Sequence, residues 1–158
     1  MQVIILSGVP GSGKSTWAKK NFPDASICSA DDYFVDCNGY KFDASHLTEA
    51  HNWCMRKFIE EVRTGQIQAF CDVIIVDNTN TSSEEIAPYY HVAAAYDCEI
   101  TLITFDINTS SAAKRNVHGV GEHTIVSMAR AIANRVLPRY WQHNPNFSTS
   151  TISNDCER

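Results

Sequence analysis

The 158-residue sequence is short of positive charge, of closely paired cysteines and of long apolar runs. Its 13 Lys and Arg face 18 Asp and Glu, a formal charge of −5. Neutralising phosphates supplies most nonspecific nucleic-acid affinity, so an acidic chain is a poor match for a protein that coats nucleic acid. No apolar run approaches the roughly 18 residues a bilayer span needs, which excludes a helical membrane protein. Met1-Gln2-Val3-Ile4-Ile5-Leu6 lacks a basic n-region and a small-residue cleavage site, which argues against a secretory leader. Cys28, Cys37, Cys54, Cys71, Cys98 and Cys156 show no C-x-x-C spacing. Zinc ribbons and redox pairs need that spacing, so these read as reduced thiols of a cytoplasmic protein without a structural metal.

What is present fits one globular domain: 44% apolar residues, 20% charged, and enough chain for a single core. Val3-Ile4-Ile5-Leu6 is a continuous β-prone run, as expected of a strand covered on both faces. Val73 to Val76 and Ile100 to Phe105 repeat the pattern, and Ala25 to Ser29 is a weaker candidate. Between them, Leu47, Ala50, Cys54, Phe58 and Val62 give helical spacing over His46 to Arg63, with Gly65 as a stop. Ser82 and Glu85 form a capping box, but Pro88 places the start of the following helix near Ala87. A further helix is expected from about Thr124 to Val136. Strands alternating with helices imply an α/β fold with a parallel sheet of four or five strands and right-handed crossovers. His143 to Arg158 is polar and rich in Ser, Thr and Asn, and reads as a loosely held tail behind a domain of residues 1–142.

Gly8-Val9-Pro10-Gly11-Ser12-Gly13-Lys14-Ser15 matches G-x-x-x-x-G-K-[ST] at every fixed position. It follows a buried strand and precedes a helix, which is the context the mechanism requires. Glycines let backbone N–H groups turn inward around phosphate oxygens, and the helix N-terminus adds positive potential. Gly8, Pro10, Gly11, Ser12, Gly13, Lys14, Ser15 and Thr16 are the expected nucleotide-binding residues. Lys14 would reach the β- and γ-phosphates of ATP, and the Ser15 hydroxyl would hold Mg²⁺. The GTPase base-reading string N-K-x-D is missing; Asp77-Asn78-Thr79-Asn80 does not match it. Short length and a P-loop at the N-terminus favour a nucleotide-kinase-like, three-layer fold.

In such folds ligands gather at the carboxyl ends of the strands. Asp31 and Asp32 follow the weak second strand, and Asp77 ends the strongest. A kinase acting on a hydroxyl needs a carboxylate to orient it and accept its proton. Neighbouring side chains on an extended segment point opposite ways, so one of Asp31 and Asp32 faces the cleft, unless both merely cap the next turn. Asp77 either meets Mg²⁺, directly or through water, or fixes the turn that follows. Five basic residues lie between Lys114 and Arg139 against one acid, Glu122. Arg115 and the His118-Gly119-Val120-Gly121 loop have the composition of a lid over about 109–124, with Arg115 neutralising the transferred phosphoryl group. Arg130 and Arg135 do not share a helix face and read as surface charges, and Trp17, Trp53 and Trp141 as packing residues.

These residues resemble the kinase domain of phage polynucleotide kinase in the P-loop through Ala18, in Asp31-Asp32-Tyr33 and in Lys114-Arg115-Asn116. They are similar, more closely, to the polynucleotide-kinase-like domain of animal ubiquitin-ligase-binding proteins. The shared strings there are Ser29-x-Asp31-Asp32-x-Phe34, Glu49-Ala50-His51-x-Trp53, Asp77-Asn78-Thr79-Asn80 and Arg115 to Val120. The resemblance covers about Val3 to Arg139. It implies a 5′-hydroxyl polynucleotide kinase using ATP and Mg²⁺, with a DNA or RNA end as partner and Asp31 as general base. It assigns Lys14 and Ser15 to phosphates and metal, Arg115 to the lid, and Asp32, Asn78 and His118 to the acceptor or lid region. Phe34 stands where the phage enzyme has an acceptor-holding arginine. Phosphotransfer to another hydroxyl (a nucleoside, a small metabolite, a hydroxymethylated base in DNA) and a non-catalytic ATP-binding module are the alternatives.

Overall fold

The computed structural model describes residues 1–37, 39–68, 72–116 and 119–154. Five strands make one all-parallel sheet: β1 (Gln2–Ser7), β2 (Ser26–Cys28), β5 (Val73–Asp77), β6 (Glu99–Asp106) and β7 (Phe147–Ser153). Their order is β2-β5-β1-β6-β7. The uninterrupted apolar runs are explained by burial on both faces. Val3 and Ile5 of β1 pack into one core with Ile74, Val76, Ile100 and Leu102. Ile4 and Leu6 point into a second core with Ile75, Ile103 and Phe105. Helices α2 (Leu47–Gln68) and α3 (Ser83–Ala95) cover the first face, and α1 (Lys14–Asn21) covers the second. Helices α4 (Thr109–Arg115), α5 (Glu122–Ala133) and α6 (Arg139–Gln142) lead from β6 to β7. A two-residue hairpin, β3 (Val35–Asp36) with β4 (Gly39–Tyr40), lies between β2 and α2.

Three expectations change. Helix α2 continues past Gly65 to Gln68. A mid-helix glycine costs only about 1 kcal/mol, and the fully buried Ala50, Cys54, Phe58 and Val62 hold the helix in place. Helix α3 starts at Ser83 rather than near Ala87 and carries Pro88 inside it. The cap prevails: Ser82 Oγ accepts from Glu85 N at 3.3 Å, while the Glu85 carboxylate accepts from Thr81 N at 2.6 Å. Residues 147–153 are not a loose tail. They form β7, hydrogen-bonded to β6 from Ile100–Phe147 to Asp106–Ser153. An edge strand needs few apolar side chains, and Phe147 supplies one by packing edge-on against Tyr90 and Trp141. The Trp141 indole is fully buried and stacks on Tyr90 at 4.4 Å. Cys28 and Cys54 are buried thiols in the same core, and burial pushes Cys28 up to about 12.

A chain shortened after Asn144 should lose the partner of β6. The expected result is a Tm lower by more than the roughly 2–4 °C that 1 kcal/mol represents in a domain of this size, with association through the bared edge. Thermal unfolding and sedimentation read both. An unchanged Tm would show that β7 adds nothing to the fold.

Candidate active site

The site is built on backbone first. β1 ends at Ser7, and the next residues turn sharply before α1 begins at Lys14. Gly11 and Gly13 take the left-handed conformation, with φ of 80° and 91°. At Gly11 a second constraint operates: a Cβ there would sit 2.2 Å from the Ala112 carbonyl oxygen, so α4 packs directly on the loop. The loop's carbonyls are satisfied from within and from afar. Lys14 Nζ donates to Gly8 O at 2.9 Å and Val9 O at 3.1 Å. Asn154 Nδ2 donates to Ser12 O at 2.7 Å, and Gly8 N donates to Thr79 O at 2.9 Å. Asn80, at φ 43°, donates from its side chain to Leu6 O at 2.7 Å.

Beside this loop lies a cleft of about 590 Å³. Pro10, Gly11, Gly13, Lys14, Ser15 and Thr16 line it, as do Asp31, Asp77, Asn78 and Arg115. Gly8 and Ser12 lie behind that wall; Ser12 is fully buried, with its Oγ 3.5 Å from Lys14 Nζ. The expected division of the acidic pair is present. Asp31 faces the cleft, whereas Asp32 turns away to Lys57 at 3.4 Å. The cause is a 3₁₀ turn over Ala30–Phe34, capped by Ser29 Oγ, which rotates successive residues by about 120°. Asp31 Oδ1 accepts a hydrogen bond from Tyr40 Oη at 3.3 Å.

Charge ties these groups together. Burial pushes the Lys14 ammonium down from its ordinary value, and Asp77 and Asp31 oppose that shift. Burial pushes Asp77 up, opposed by a hydrogen bond from Ser15 and by the Lys14 charge. The Ser15 hydroxyl and the Asp77 carboxylate therefore stand side by side at the foot of α1. This oxygen pair suits a hard cation such as Mg²⁺, which keeps phosphate and water oxygens in its shell. Among the described residues no group of three or more His, Cys, Asp or Glu is disposed to hold a metal. Asn78 lines the cleft, but its amide is a bracket. Oδ1 accepts from Ala30 N at 2.9 Å, and Nδ2 donates to Tyr89 Oη at 3.2 Å. Arg115 is exposed at the C-terminal end of α4; His118 lies outside the described residues.

A protein-family model described as an AAA domain matches residues 3–127. The chain belongs to this family. Human NEDD4-binding protein 2 is 32% identical over 133 residues, which is 80% of this chain and 7% of that protein. The structure of the Pnkp1/Rnl/Hen1 RNA repair complex matches with a TM-score of 0.66 at 20% identity, covering 84% of this chain and 44% of that one. The APS kinase CysC of Mycobacterium tuberculosis, solved with AMPPNP and APS, matches at 0.54 and 16% identity over 99% and 90%. The chain thus spans less than half of the first two relatives, and the solved structures share its fold.

The domain also uses residues that the sequence left aside. Arg135 is half-buried, not a surface charge: its guanidinium donates to Ser7 Oγ at 2.6 Å, Asn80 O at 2.8 Å and Thr104 Oγ1 at 3.0 Å. It pins the ends of β1 and β6 to the turn after β5. Asn154, Trp17, Lys20 and Thr79 also line the cleft. Trp17 packs against Phe22 and Phe105 as expected. No local pattern marks Arg135 or Asn154, since their partners are distant in sequence. No helix among the described residues is long and apolar enough to cross a membrane.

Asp77 generates a prediction with a fixed sign. Burial holds its folded pKa above the ordinary carboxylate value, so the stability it contributes is complete below that value and is lost as pH rises through the folded pKa. Asp77→Asn should therefore raise Tm at pH 7, with the gain vanishing toward pH 3.8, while weakening Mg²⁺-dependent nucleotide binding. Thermal scans across pH and nucleotide titrations test it. A lower Tm at pH 7 would show that the pull of the carboxylate on Lys14 outweighs its burial.

Proposed function

We propose that this domain transfers the γ-phosphate of ATP to the 5′-hydroxyl end of a polynucleotide. The observation that carries the reading is Asp31: its carboxylate lines the same cleft as Lys14 and the glycine loop, while its neighbour is engaged by Lys57. The loop amides, the α1 N-terminus and Lys14 hold the triphosphate. Asp31 accepts a hydrogen bond from the acceptor hydroxyl and takes its proton as the new oxygen–phosphorus bond forms and the β–γ bridge breaks, releasing ADP. Ser15 and Asp77 would hold Mg²⁺, which offsets charge on the phosphate oxygens. Arg115, on the end of α4 beside Gly11, covers the transferring group. Kinship with NEDD4-binding protein 2 and the likeness to an RNA repair complex support the polynucleotide acceptor.

Labelling 5′-hydroxyl DNA and RNA oligonucleotides with γ-labelled ATP tests the proposal. The native chain should transfer label, and Asp31→Asn should lower kcat about 10²–10⁴-fold while ATP still binds. A loss under about threefold would remove Asp31 from the chemistry. Label on a small alcohol but on no oligonucleotide would move the acceptor to a nucleoside or metabolite. Tight ATP binding with no acceptor labelled would leave a non-catalytic module.

A further inference from the structure

The wall beyond Asp31 carries aromatic side chains that the phosphate chemistry does not use. Phe34, only 7% exposed, is their hub: Tyr33, Tyr40 and Phe42 meet its ring at 5.4, 6.3 and 5.2 Å. Tyr40 and Phe42 remain 40% and 51% exposed. The hub packs into the main core with Ala50 and Cys54, and Lys41 N donates to Phe34 O at 2.9 Å, so the rings stand on fixed backbone. The Tyr40 hydroxyl donates to Asp31, which makes the aromatic surface continuous with the candidate base. Carboxylates around it (Asp31, Asp32, Asp36, Asp43, Glu49) outnumber Lys41, Arg56 and Lys57. Lys41 and Lys57 already face Asp36 at 3.7 Å and Asp32 at 3.4 Å. Such a surface is poorly charged for the phosphate rails of a duplex, but its ring faces suit unpaired bases, whose stacking needs no positive charge.

We propose that Tyr40 and Phe42 form a stacking platform for the unpaired terminal base of a single-stranded 5′-hydroxyl end, and that this contact presents the hydroxyl to Asp31. The inference rests on the polynucleotide-kinase reading and adds strand preference and the residues that set it. Phe42 touches no group of the phosphate site, so its removal separates acceptor binding from chemistry.

Steady-state kinetics with a single-stranded oligonucleotide, the same sequence in a blunt duplex, and a single strand with an abasic 5′-terminal residue test it. Phe42→Ala should raise KM for the single strand about 5- to 100-fold, the worth of one stacked base, with kcat and KM for ATP held. Phe42→Trp should restore it. The abasic and blunt acceptors should be poor for the native chain and insensitive to Phe42→Ala. Anisotropy of a labelled single strand on the Asp31→Asn chain reads the platform without turnover, and Phe42→Ala should weaken that binding by the same factor. Transfer with an abasic acceptor as good as the natural one, or with KM unchanged in Phe42→Ala, overturns the platform and leaves the kinase reading standing. Binding that depends on Phe42 with no transfer overturns the kinase reading and upholds the platform. Neither binding nor transfer overturns both, whereas Phe42→Ala dissolving a dimer in sedimentation while strand binding is unaltered overturns the platform alone.

Discussion

A loop that aims its N–H groups at one point must turn its carbonyls elsewhere, and buried carbonyls need donors. That constraint organises this molecule. The donors come from Lys14 inside the loop and from Asn154 at the far end of the described chain, while Asn80 beyond β5 serves the Leu6 carbonyl of β1 just before it. They stand on different elements, α1, the turn after β5 and the end of β7, so the shape of this junction depends on residues distant in sequence. Arg135 then locks the same junction, with three donated hydrogen bonds across β1, β6 and the turn after β5. The α4 backbone closes in on Gly11, where no side chain fits, and this roots the Arg115-bearing helix on the phosphate loop itself.

The electrostatics follow from that packing. Lys14 is buried because its ammonium serves the loop's own carbonyls, and burial alone would favour its neutral form. Two carboxylates offset this, Asp77 from the end of β5 and Asp31 from the 3₁₀ turn after β2. Asp77 is itself disfavoured by burial, so the cluster is a compromise in which each charge is tolerated for its neighbours' sake. Such mutually strained charge sets are more often sites of chemistry than of stability.

What could be read from sequence is what is encoded locally. The phosphate loop, the three strong strands and the Asp31/Asp32 division all depend on residues within a few positions of one another. The division came about by a different route, a 3₁₀ turn instead of an extended segment, because Ser29 caps the turn. β7 gives no local signal because an edge strand that is exposed along most of its length tolerates Ser and Thr, and its pairing with β6 is invisible to periodicity. Arg135 and Asn154 escaped for a related reason: their partners lie 31 to 142 residues away. Pro88 misled because the cap at Ser82 and the burial of Ile86 and Tyr89 outweigh one missing N–H.

The distribution of constraint also separates what this fold shares with its structural neighbours from what is its own. Phosphate-handling groups stand on strand ends and loop backbone, where the sheet leaves them little freedom. The wall beyond Asp31 is different: residues 35–46 are an excursion between β2 and α2 whose described part holds a short hairpin and a 3₁₀ turn at Ala44–His46. Nothing in the sheet dictates their side chains, so on the proposed reading acceptor choice would vary here while the phosphate loop stays fixed. Phe34 nonetheless anchors the excursion, because its ring belongs to the main core while the rings around it face outward. A surface rigid at its root and open at its rim needs no closure to meet a flexible ligand, and the ordering cost on binding falls on the ligand alone.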